Sequence, residues 1–173
     1  MIVQCDGYED LKSKIIIDFS CFLIAQNKWE QAKRLLNEAL DNFKERIKKF
    51  EENANSPTIA ERFHMMGYTY RLLKNHSQAK IWLEKALEMR RIAFLDENQQ
   101  PKNHSLIAQT LGELGQNCNE QDDKNNAQKY LDDSIKMFKT QTGKGSRDLV
   151  SKVEKYLEDF NAKVSNFYWV SNE

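Results

Sequence analysis

Proline and glycine are nearly missing from this 173-residue chain, which holds two of the first and six of the second. That excludes collagen-like and turn-rich architectures. Valine is scarce as well, and no alternating apolar and polar run is long enough to read as a strand. Neither sign of charge is in excess: Lys+Arg and Asp+Glu each number 26. A nucleic-acid-binding domain normally carries a basic surplus, so that class is set aside. The three cysteines, Cys5, Cys21 and Cys118, are too few and too far apart for a disulfide framework or a paired-ligand zinc site. They read as the reduced thiols of an intracellular protein. No stretch approaches the roughly 18 apolar residues of a membrane span, and "MIVQCDGYED" lacks the basic-then-apolar layout of a secretory leader. A cytoplasmic chain with no metal or other cofactor is expected.

What is abundant is Ala, Leu, Lys, Glu and Gln, a helix-forming set that predicts an all-α fold. Within it a unit recurs. Around Gly67 the apolar or small positions are Ala60, Phe63, Met66, Gly67 and Tyr70, followed by Ala79, Leu83 and Ala86. Around Gly115 they are Ala108, Leu111, Leu114, Gly115 and Cys118, then Ala127, Leu131 and Ser134. The same offsets near the N-terminus give Ile16, Phe19, Ser20 and Leu23, then Ala32, Leu36 and Ala39. The alanines 32, 79 and 127 lie 47 and 48 residues apart. Spacings of i, i+3, i+4 and i+7 place each set on one stripe of a helix, so each unit reads as two antiparallel helices. A glycine inside a helix costs about 1 kcal/mol relative to alanine. Its use twice at one place implies a packing demand, read here as close approach of helix backbones at Ser20/Ala32, Gly67/Ala79 and Gly115/Ala127.

The segment "FHMMGYTY…AKIWLEKAL" (63–87) resembles the tetratricopeptide repeat, with "LGELGQNC…AQKYLDDSI" (111–135) and "IIIDFSCFL…AKRLLNEAL" (15–40) as weaker copies. The family's aromatic slot early in the second helix is filled by Trp29, His76 and Lys124, so the third copy departs there. The units exceed the usual repeat length, and in this they are similar to the longer-repeat, kinesin-light-chain-like subgroup. That subgroup often has His-Pro before the first helix; "NSPTIAERF" (55–63) and "KNHSLIAQTL" (102–111) each keep half of it, Pro57 and His104. The resemblance implies an α-solenoid of three TPR-like helix hairpins in a single domain. The repeats fall at about 9–52, 56–98 and 103–141. A helix over about 147–163, apolar at Val150, Val153, Tyr156, Leu157 and Phe160, would cap the last hairpin. An aromatic tail, "NFYWVSNE" at 166–173, follows.

No residue set supports a reaction. "TGKGS" (142–146) suggests a phosphate-binding loop, but Phe138 stands where that loop needs glycine and a helix precedes it instead of a strand. His64, His76 and His104 have different roles: His76 fills the packing slot, His104 lies in a linker, and His64 faces inward. None has a nucleophile placed beside it. "ERIKKFEEN" (45–53) is a solvated helix surface. A non-enzymatic chain is expected.

In such a solenoid the first helix of each unit lines the concave surface. In the first unit that wall is Lys14, Ile17, Asp18, Cys21 and Ile24. In the second it is Glu61, His64, Met65, Tyr68, Arg71 and Leu72, and in the third Gln109, Glu113, Gln116, Asn119 and Glu120. Chaperone-binding members of the family hold a terminal carboxylate with inward Lys, Arg and Asn. Here those places hold Ile17, Cys21, His64, Tyr68 and Gln116, so that clamp is missing. The paired asparagines of the kinesin-light-chain type are replaced by His64-Met65 and Gly112-Glu113. The expected function is an adaptor whose concave face binds a protein or peptide segment with apolar and basic residues, Tyr68 and Arg71 contributing most. The alternative is a structural subunit of a larger assembly, using its convex face, its solenoid ends or the aromatic tail.

Overall fold

A computed structural model describes residues 3–49, 57–95, 97, 104–140, 151, 154 and 155. The chain is all-α. Its helices are α1 (Val3–Ala25), α2 (Trp29–Lys49), α3 (Pro57–Leu72), α4 (His76–Ala93), α5 (Ser105–Asn119) and α6 (Lys124–Lys139). Among the described residues there is no β-strand. Each expected hairpin is present as a helix pair joined by a short turn, the arrangement of the α-solenoid class. The chain divides into two compact units, Met1–Met89 and Arg90–Glu173, the last turn of α4 falling in the second. Of the expected capping helix, residues 151, 154 and 155 are helical. Its remainder and the aromatic tail lie outside the described residues.

The three turns are built alike. Asn27, Lys74 and Asp122 take φ of 59°, 60° and 59°, the left-handed conformation that usually selects glycine after a helix. Around them Lys28 N–H donates to Leu23 O, Asn75 N–H to Tyr70 O and Asp123 N–H to Cys118 O, at 2.9, 2.9 and 3.0 Å. The left-handed residues themselves donate back to Ile24 O, Arg71 O and Asn119 O. This doubly bonded ending satisfies the orphan carbonyls of the first helix. The following residue then opens the next helix: Asn75 Oδ1 accepts from Gln78 N and Asp123 Oδ1 from Asn126 N. Pro57 stands as the first residue of α3, where its missing N–H is no loss.

All nine expected second-helix positions, from Ala32, Leu36 and Ala39 to Ala127, Leu131 and Ser134, are buried. In the first unit Leu36, Ala39, Leu40 and Phe43 form one core with Ile17 and Met66. In the second, Leu131, Ile135 and Phe138 pack with Ala108. Ser134 fills an alanine position without penalty because its hydroxyl donates to Ala108 O across the hairpin at 2.7 Å. The glycines act more specifically than expected. A Cβ on Gly67 would lie 2.5 Å from Leu83 Cγ, and one on Gly115 would lie 2.7 Å from Leu131 Cγ. Each glycine is a socket for a leucine one turn beyond the paired alanine, and the second helix is drawn in around that leucine. Phe19 departs from the expected core stripe: it is 51% exposed.

Two outcomes follow. Gly67→Ala would regain about 1 kcal/mol of helix propensity but overpack at Leu83 by about 1–3 kcal/mol, so urea unfolding should show a net loss of roughly 1 kcal/mol. Combined with Leu83→Ala, the two costs should fall short of additivity by about 0.5 kcal/mol or more; strict additivity would refute the socket. Lys74→Gly should gain about 0.5–1 kcal/mol, seen as a higher melting temperature, by relieving the left-handed backbone. Asn27→Gly should gain less, since asparagine adopts that conformation more readily than lysine.

Candidate protein-interaction surfaces

The repeat spacing reappears as contacts between α1 and α3 in the first unit. Lys14 Nζ meets Glu61 Oε1 at 2.9 Å, and Cys21 Sγ lies 3.5 Å from Tyr68 Oη. Both pairs are 47 residues apart, so equivalent positions of successive first helices sit side by side. This register builds a wall with Tyr68 at its centre. The ring is half-buried, and the Arg71 guanidinium carbon lies 5.3 Å from its centroid, within cation–π range. Met65 and Leu72 add half-buried apolar surface packed against the core.

Behind the wall α1, α2 and α3 are joined by charge. The Asp10 carboxylate receives Arg62 Nε at 3.2 Å and Arg62 Nη2 at 3.0 Å. Arg46 Nε approaches the same carboxylate at 3.1 Å, off the hydrogen-bond axis, so that contact is an ion pair only. Both arginines are buried. A buried charge is tolerated only when paired, so this cluster fixes the angle at which α1 can meet α3.

The expected wall residues divide accordingly. Cys21, Met65, Tyr68 and Leu72 are half-buried and reachable, whereas His64 and Arg71 are buried at its base. Ile17 faces the interior with no exposed area, because it fills the core between α1 and α2; it offers no surface to a partner. On α5, in the second unit, Glu113 and Gln116 are half-buried and Glu120 is exposed at the helix end. The reachable part of the wall thus carries apolar surface, a phenol and a thiol, with the Arg71 guanidinium beneath the phenol. Among the described residues no group of His, Cys, Asp and Glu is placed to hold a metal ion.

A second surface was not apparent from the repeat. Along the outer side of α1, Tyr8, Leu11, Ile15, Phe19 and Phe22 are each between 51% and 67% exposed. Phe19 and Phe22 stack on each other with centroids 6.2 Å apart. The signal was present in the composition: α1 is apolar on every side, which marks a helix with contacts on more than one face.

Residues 60–92 match the family model described as tetratricopeptide repeat. The matched stretch covers nearly all of the second hairpin, α3 and α4. The helix pairs on either side of this repeat place the same residue classes at the same offsets. No curated protein matches the sequence. Among solved structures the chain is similar to the N-terminal domain of stress-induced protein-1 (STI-1) from C. elegans, at 17% identity and TM-score 0.41, covering 84% of this chain and 97% of that one. It is also similar to BtubC (BKLC) from P. vanneervenii, at 21% identity and TM-score 0.48, covering 80% of this chain and 52% of that one. The chain thus spans about half the length of BtubC. No described helix is long and apolar enough to cross a membrane.

The second unit has its own polar anchor at the start of its repeat-like hairpin. Arg90, buried, donates through Nη1 to Leu106 O at 2.7 Å and to Thr110 Oγ1 at 2.6 Å. His104 lies in the α4–α5 connection, as expected, and there it caps α5: its Nδ1 accepts from Leu106 N at 3.2 Å, and its ring stacks on Phe94 with centroids 3.6 Å apart. Burial, and then the nearby Arg90 guanidinium, hold this imidazole below its ordinary value of 6.5. The folded state therefore binds the proton less readily than the unfolded chain. The contribution to stability is full above about pH 6.5 and is lost as the pH falls below it. His104→Asn keeps an acceptor at the cap and removes the titration. Between about pH 7 and pH 5 its melting temperature should fall less than that of the parent protein; parallel curves would contradict the role assigned to His104.

Proposed function

We propose that the chain is an interaction adaptor, and that the α1–α3 wall of its first unit receives a protein or peptide segment. TPR repeats support protein binding in general. The observation that carries the finer reading is the wall itself: Tyr68, reachable from solvent, is held in one orientation by Cys21 on one side and Arg71 on the other. A pre-oriented aromatic loses little freedom on binding, which is the property of an interface anchor. Met65 and Leu72 beside it favour apolar residues in the ligand. Asp18, exposed on the same side of α1, favours a basic one. Glu113, Gln116 and Glu120 would extend the preference for basic partners on the second unit. The expected setting is cytoplasmic, and no catalytic step is assigned. The reading as a subunit of a larger assembly is favoured by a different observation, the exposed apolar stripe of α1.

A random peptide display library panned on the intact protein tests the wall directly. Recovered peptides should be enriched in apolar and basic residues. Calorimetry of the best binder should show Tyr68→Ala weakening it by about 2 kcal/mol, roughly thirtyfold, with helicity unchanged. Binders indifferent to Tyr68→Ala would place recognition elsewhere.

A further inference from the structure

The outer stripe of α1 is independent of the wall just described, since it lies on the opposite side of α1 from the core. Its five large residues occur at intervals of three, four, four and three, an order that reads the same from either end. On an α-helix they fall within about 40° of a common line, with Ile15 at the middle. Lys12 and Asp18, both exposed, flank the band without entering it. A two-fold axis demands a surface complementary to itself, and a palindromic stripe meets that demand when two copies run antiparallel. Tyr8 then lies level with Phe22 of the second copy, Leu11 with Phe19, and Ile15 with Ile15. At the Tyr8–Phe22 and Leu11–Phe19 levels the two side chains fall to opposite sides of the seam and interdigitate, while the two Ile15 side chains meet on the axis itself.

The area is also sufficient. A large side chain presents about 200 Å², and slightly more than half of each is exposed, giving about 600 Å² per copy. That equals the largest apolar patch usual on a monomer. Complete coverage of both stripes would bury about 1,200 Å², the lower edge of specific interfaces. We propose that two copies of this chain pair through α1, antiparallel, about a two-fold axis at Ile15.

Sedimentation equilibrium of the full chain over a range of concentrations reads this directly. The parent protein should pass from monomer to dimer, and Ile15→Glu, which sets two carboxylates against each other on the axis, should be monomeric with unchanged helicity. Leu11→Lys and Phe19→Glu should each weaken pairing by about tenfold or more. Mixed in equal amounts they should recover a dimer at concentrations where each alone is monomeric, because antiparallel pairing sets Lys at 11 beside Glu at 19. A parent chain monomeric at its highest soluble concentration would overturn the proposal. So would an Ile15→Glu protein that dimerises undiminished, or a mixture that recovers nothing.

Discussion

The fit of Leu83 into the space above Gly67, and of Leu131 into that above Gly115, sets the separation of the helices in their hairpins. Where that separation is small, the alanines one turn earlier are drawn into full burial, and the larger residues on either side close over the seam. Ser20 stands at the corresponding place in the first hairpin and is fully buried there. Its hydroxyl donates to Ile16 O at 2.7 Å, so it adds no unsatisfied group. The small residue, the leucine and the alanine form one device, repeated every 47 or 48 residues, and each member is of little use without the others.

Most of this was legible in the sequence because it is a matter of period and size. Every second-helix position that the apolar and small spacing predicted is buried, and the aromatic-slot residues Trp29, His76 and Lys124 each open a helix as their alignment implied. Pattern failed where polar partners decide the outcome. Nothing in the spacing of Asp10, Arg46 and Arg62 reveals that three helices converge on one carboxylate, and Arg90 reads as an ordinary basic residue near a helix end. Ile17 was misjudged for a different reason. On a helix with apolar residues all round, periodicity cannot say which face meets the core. The same ambiguity hid the exposure of Phe19.

The buried charges complement the hydrophobic device instead of duplicating it. Leucine-in-glycine packing sets how near α3 lies to α4 and α5 to α6, whereas the Asp10 cluster joins α1, α2 and α3. A guanidinium that meets a carboxylate in two places holds a narrow geometry. In the first unit the Asp10 cluster therefore selects the orientation that brings Cys21 against Tyr68. In the second, Arg90 holds the start of α5 through Leu106 O and Thr110, and the His104 cap and its stacking on Phe94 complete the anchorage.

The turns carry a different lesson. Asn27, Lys74 and Asp122 sit in a backbone state that glycine would occupy more comfortably, so the loops are not what fastens the helix pairs together. Closure comes from the apolar contacts across each pair, with leucine seated over glycine in the second and third. The three loop tips are consequently natural sites for splicing in foreign sequence, such as a fluorescent reporter or an affinity epitope, without loosening the hairpin beneath.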